Sequence, residues 1–156
     1  MKQIEYQTIT LDDQTSCQMI SDWYLKEWRI PIETSLQKLS FCQTNNVPFQ
    51  ILMTIDNLPI ATGGLYHHVG LHDHFPKYKQ YPLWLALVYT QPEYRGKGYG
   101  SMLCEKIQNR ARDLGFDEMW LFTDTAESLY QRLGWQVVER IALKHRNVVL
   151  MKKHIS

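Results

Sequence analysis

Arg95-Gly96-Lys97-Gly98-Tyr99-Gly100 is the stretch whose residue types and spacing best suit chemistry. Three alternating glycines let the backbone approach a ligand with no side chain in the way. Their N–H groups, together with the positive end of a following helix, suit an anion, most naturally a phosphate. The spacing is not that of a Walker loop, which reads GxxxxGK[ST]. The dinucleotide fingerprint reads GxGxxG inside a βαβ unit, with an acidic residue about 20 positions on. Here the glycines are spaced two and two, and an arginine leads them.

A second concentration of reactive side chains is His67-His68-Val69-Gly70-Leu71-His72-Asp73-His74. Histidine and aspartate are metal ligands, but no second ligand cluster stands elsewhere in the chain. We expect no metal here, and a loop in which Asp73 or a neighbouring histidine such as His68 binds or deprotonates an amine. Cys104 follows the glycine stretch. It reads as a small residue packed in a helix rather than as a nucleophile.

The elements that must position these groups follow from periodicity. Leu83 to Tyr89 is an apolar, strand-like run, followed by a polar turn with Pro92. Beyond the glycines, Leu103, Ile107, Ala111 and Leu114 fall on one helical face, and Gly115 caps that helix. The order is strand, glycine turn, helix. Upstream, Ile4 to Ile9 alternates as a strand. Leu11-Asp12-Asp13 offers caps for a helix through Trp28, Pro31 breaks it, and a second helix runs from Ile32 to Phe41. Phe49–Ile55 and Leu58–Tyr66 read as a hairpin around Asp56-Asn57. Gly63-Gly64 marks a bulge or a close backbone approach. Downstream come a strand at Glu118–Thr123, a short helix from Ala126 to Leu133 closed by Gly134, and strands at Trp135–Leu143 and Val148–Lys152 around the turn Lys144–Asn147.

The 156 residues suit one domain, 1–156, and 44% are apolar, with five Trp and nine Tyr for a core. A formal net charge of +1 favours neither nucleic acid nor an anionic membrane. No apolar run reaches the roughly 18 residues of a membrane span, and the N-terminal residues do not read as a signal peptide. Cys17, Cys42 and Cys104 are odd in number and far apart, which fits reduced thiols and a cytoplasmic protein.

The central stretch resembles the pyrophosphate loop of the Gcn5-related N-acetyltransferases, the GNAT family, roughly V-x-x-x-P-x-x-[QR]-G-x-G-[YI]-G. Val88, Pro92, Arg95, Gly96, Gly98 and Gly100 stand at the matching places. A second family signature, A-x-x-[FL]-Y-x-[RK]-[LM]-G-[FW], resembles Ala126 to Trp135. The order of elements is similar along the whole chain. The resemblance implies a mixed α/β fold, with a mostly antiparallel central sheet splayed between its fourth and fifth strands and flanked by helices.

It also implies acetyl-CoA as co-substrate and a direct transfer to a primary amine of a small molecule or peptide. Backbone N–H groups over Arg95, Gly96, Lys97, Gly98, Tyr99, Gly100 and Ser101 would hold the pyrophosphate. The pantetheine arm would lie along Leu87, Val88 and Tyr89 as a pseudo-strand. An N–H near Val88 or Tyr89 would meet the thioester oxygen. The thiolate leaves with a pKa of about 8.5, and Tyr130, in the second signature, would protonate it. The first two helices and the loop between them wall the acceptor site in this family, which puts Trp23, Trp28 and Glu33 forward as its lining; the loop between the third and fourth strands is expected to border the same pocket and adds His68 and Asp73. Two departures stand out. Many members carry an asparagine after the fifth strand, where this chain has Thr123-Asp124-Thr125, so that contact is changed or made by another residue, with Asp124 the candidate. Some carry a glutamate base on the fourth strand, and Leu83 to Tyr89 has no acid. A homodimer is allowed. A non-catalytic acyl-CoA-binding module is the alternative reading, and a nucleotide-phosphate binder of another class is a third.

Overall fold

Alternating side chains make Ile4–Ile9 the first strand, β1, and Asp13 then opens a helix by accepting the Ser16 N–H at 3.0 Å. This helix, α1, spans Gln14–Trp28, and α2 follows Pro31 at Ile32–Ser40. Strands β2 (Phe49–Ile55) and β3 (Leu58–Tyr66) form the expected hairpin, turned by Asp56 and Asn57, both at positive φ. The loop after it contains a short helix, α3 (Leu71–His74), and a 3-10 turn at Pro76–Gln80. Then come β4 (Trp84–Thr90), α4 (Tyr99–Asp113), β5 (Glu118–Thr123), α5 (Glu127–Arg132), β6 (Gln136–Leu143) and β7 (Arg146–His154).

This is the computed structural model of residues 2–156. The fold is mixed α/β, as expected. Among the described residues, seven strands run in the order β1-β2-β3-β4-β5-β7-β6, with β4–β5 parallel and β1–β2, β2–β3, β5–β7 and β6–β7 antiparallel. The chain divides into two compact units. β4 and α4 each begin in one and end in the other.

The first unit holds the residues through Leu65 and Leu87–Ile107. Its core includes Ile9, Ile20, Tyr24, Leu39, Phe49, Ile51, Met53, Ile60, Leu103 and Ile107. Every residue of β2 is buried, as in a strand covered on both faces. The register of the hairpin shifts at Met53/Thr54, away from the two glycines. Gly63 is instead a close approach: a Cβ there would stand 3.2 Å from both Ile107 Cδ1 and Val88 Cγ2.

The second unit holds Tyr66–Ala86 and Gln108–Ser156. Leu71, Trp84, Met119, Trp120, Leu121, Leu150 and Met151 form its core. The β4–β5 ladder is one register pair, Trp84↔Trp120, the short parallel contact that a splayed sheet leaves. β7 is longer than its sequence pattern suggested. It pairs with β5 on one side and β6 on the other, and those ladders carry it from Arg146 to His154. Gly115, at φ +95°, ends α4 as expected, and the Phe116 N–H reaches back to the Ala111 carbonyl. Among the described residues, no helix is long and apolar enough to cross a membrane.

Candidate active site

The glycine turn lies wholly in the first unit. Pro92–Tyr94 makes one 3-10 turn, and the Arg95 N–H donates to the Pro92 carbonyl at 3.2 Å. Gly96 and Gly98 then take φ of +74° and +86°. A left-handed backbone favours glycine over any residue with a Cβ. No atom lies within 4 Å of where a Cβ would stand at either position, so the requirement is conformational and the space beside the turn is open. The Met102 N–H donates to the Gly98 carbonyl at 3.1 Å, which sets Gly98 at the start of α4. The N–H groups of Tyr99, Gly100 and Ser101 come before that bond, where a helix has no carbonyl to offer them. The macrodipole adds positive potential at the same end, and Lys97 is exposed beside it.

Arg95 fastens the turn to its surroundings. Its Nε donates to the Thr90 carbonyl at 2.7 Å, and an Nη donates to Glu27 Oε2 at 3.0 Å. The guanidinium also lies 5.4 Å from the centre of the Tyr89 ring. Tyr89 also has aromatic neighbours: Trp23 stacks on it at 5.3 Å, and Trp28 meets it edge-on at 6.1 Å. Tyr89 is buried and Trp28 is 41% exposed, so this cluster has a closed interior and an open rim. Burial raises the Tyr89 hydroxyl above its ordinary pKa, with Arg95 opposing the shift.

Leu87 breaks the regularity of β4. Its φ is +59°, a left-handed conformation inside a strand, which costs a leucine roughly 1–2 kcal/mol. The Tyr24 hydroxyl donates to its carbonyl at 2.6 Å. Leu87, Val88, Tyr89, the turn from Arg95 to Ser101 and Trp28 thus belong to one compact unit. Glu33 belongs to it as well, exposed in the first turn of α2. Glu27 and Tyr24 are additions that sequence reasoning missed. Tyr24 and Trp28 are one helical turn apart, but nothing local signals that Tyr24 reaches a carbonyl 63 positions on.

The remaining sequence candidates lie in the second unit. Tyr130 is buried on α5, its ring edge-on to Trp135 at 5.8 Å, and its carbonyl accepts the Trp135 N–H at 3.0 Å. Asp124 is paired with Arg146 at 3.3 Å. His68 lies 3.4 Å from Asp73, both well exposed, and its ring is edge-on to the buried His72. Among the described residues, no three His, Cys, Asp or Glu side chains converge as metal ligands would.

The model of the acetyltransferase (GNAT) family matches residues 17–135. An amino-acid acetyltransferase of Yersinia pseudotuberculosis is 30% identical over 88 residues, 54% of this chain and 17% of that protein. The chain therefore spans less than a fifth of the length of that curated relative. A structure of aminoglycoside 6'-N-acetyltransferase complexed with coenzyme A superposes with a TM-score of 0.75 at 12% identity, covering 97% of each chain. An acetyltransferase of the GNAT family from Streptococcus pneumoniae superposes with a TM-score of 0.72 at 16% identity, covering 99% of this chain and 100% of that one. These structural likenesses speak to the fold, and the family match rests on more than half of the sequence. With the glycine turn, the strand before it and the helix after it in the family's order, this chain belongs to the acetyltransferase (GNAT) family.

Proposed function

We propose that the protein is an acetyl-CoA-dependent N-acetyltransferase acting on a primary amine of a small molecule or peptide in a cytoplasmic compartment. The observation that carries this reading is the turn from Gly96 to Ser101, with two left-handed glycines, open space beside them and unpaired helix-start N–H groups. That arrangement suits a pyrophosphate. Arg95 holds the turn in shape through Thr90, Glu27 and Tyr89. Leu87, Val88 and Tyr89 would pair with the amide arm. Asp124 is proposed for the contact that an asparagine makes elsewhere in the family.

The transfer needs no covalent enzyme intermediate. The amine nitrogen attacks the thioester carbonyl carbon, an N–C bond forms and the C–S bond breaks. A backbone N–H of Val88 or Tyr89 would stabilise the oxyanion. β4 carries no acid, so the amine's proton leaves to water or to a group on another element, such as Asp73 or His68. Tyr130 gives its proton to the leaving thiolate and regains one from solvent. Trp28, Glu33, His68 and Asp73 are each proposed as contacts of the acceptor. The exposed rim at Trp28 favours an acceptor with some apolar surface.

Tyr130→Phe tests the chemistry. The ring and its packing on Trp135 stay, and only the hydroxyl goes. A general acid typically contributes about 10²–10⁴ in rate. We expect kcat to fall by that order, with acetyl-CoA binding near wild type and any alkaline limb due to the phenol flattened. A phenylalanine variant within about threefold of wild type, on a substrate for which chemistry limits the rate, would leave water as the proton donor.

A further inference from the structure

A chain of buried polar groups runs through the first unit and ends on β4. The Thr62 hydroxyl donates to the Ile51 carbonyl at 2.8 Å. Gln50 Nε2 donates to Thr62 Oγ1 at 2.8 Å and to the Tyr24 hydroxyl at 2.9 Å. Tyr24 donates onward to the Leu87 carbonyl at 2.6 Å. Gln50 and Thr62 are fully buried, and Tyr24 is 1% exposed.

The direction of the chain is fixed by its middle. An amide nitrogen only donates, so both hydroxyls accept from Gln50 and each sends its own proton outward. With the amide reversed, both hydroxyls would donate to it, and the Ile51 and Leu87 carbonyls would lose these hydroxyl donors. Buried polar groups are rarely left so. Burial also holds the Tyr24 phenol well above its ordinary pKa, so it stays a donor at any ordinary pH.

The far end of this chain is the one left-handed residue in β4. A left-handed residue within a strand shifts the alternation, so the residues after it present their N–H groups differently. Val88 and Tyr89 follow Leu87 directly. We propose that Tyr24 is a positioning residue for acetyl transfer: its hydroxyl fixes the Leu87 carbonyl, and with it the direction of the Val88 and Tyr89 N–H groups. Gln50 and Thr62 hold Tyr24 in turn. The proposal rests on the acetyl-transfer reading above and adds a role to residues on α1, β2 and β3 that lie outside the glycine turn.

The test pairs Tyr24→Phe with Leu87→Gly, alone and combined. Glycine adopts the left-handed conformation without strain, so it lessens the need for the tyrosine. Misplacing a transition-state donor by about an ångström costs up to roughly a hundredfold. Tyr24→Phe in the wild-type background should lower kcat about 10–100-fold, with the acetyl-CoA KM within about threefold of wild type. In the Leu87→Gly background the same change should cost about threefold or less. A tyrosine that serves stability alone would lower kcat little, or by the same factor in both backgrounds, and either result overturns the proposal. Amide NMR of the resting protein supplies a readout independent of turnover. The Val88 and Tyr89 resonances should shift in Tyr24→Phe, and unchanged resonances contradict the proposal. Wild-type protein that never releases thiol would strike the acetyl-transfer reading instead, and the NMR result would still decide whether Tyr24 holds this backbone. If Tyr24→Phe does not fold, Gln50→Met goes through the same backgrounds, with a three- to tenfold loss expected and the same contrary outcomes.

Discussion

Gly98 joins two independent physical demands. Its φ of +86° penalises any L side chain, and the open space where that side chain would stand adjoins the turn proposed for a diphosphate. Gly98→Asp should therefore strain the turn and set a carboxylate beside a polyanion. CoA affinity measured by calorimetry should fall at least tenfold, about 1.4 kcal/mol. Unchanged affinity would move the CoA site elsewhere. The need for glycine was legible in the sequence, because alternate glycines have few other uses at the start of a helix. The Arg95 clamp was not. Its partner Glu27 lies 68 positions away, and no local pattern encodes a pairing at that distance. Tyr24 was legible only as a core aromatic, because its hydroxyl matters through a strand it meets in space.

Among the elements, β4 carries most of the proposed function, and its neighbours constrain it. Gly63 on β3 leaves 3.2 Å between a hypothetical Cβ and both Val88 and Ile107. Gly63→Val should overpack this contact and cost about 1–3 kcal/mol in a urea titration. It should also lower kcat more than Gly63→Ala does, because Val88 is among the atoms that must give way. A valine variant as stable as wild type would mean that β4 yields freely there. Most strand and helix positions were legible from period and from stop signals such as Pro31, Asp56-Asn57 and Gly115; α3, a single turn inside a polar loop, was too short to show a period. The left-handed bend at Leu87 had no such signal, since leucine inside an apolar run reads as ordinary strand. The register shift at Met53/Thr54 was likewise hidden, because both residues suit a regular strand. Two-sided pairing extends β7 beyond its pattern, and partners far along the chain supply that pairing.

At the scale of the molecule, family membership was readable from two motifs at the right separation, and the match over residues 17–135 agrees. The acceptor was not readable. Its contacts are single side chains on separate elements, such as Trp28, Glu33, His68 and Asp73, without shared spacing. A net charge of +1 does not select a strongly charged partner. In the proposed reaction, acetyl-CoA bound at the Gly96–Ser101 turn gives its acetyl group to an amine. Free-thiol release from acetyl-CoA over a panel of amino acids, small apolar amines and peptides tests it most directly, with mass spectrometry of the products. Thiol release above hydrolysis is expected for at least one primary amine, matched mole for mole by N-acetylated product and lost in Gly98→Asp. Tight CoA binding with no release across the panel would contradict it and mark the protein as an acyl-CoA-binding module.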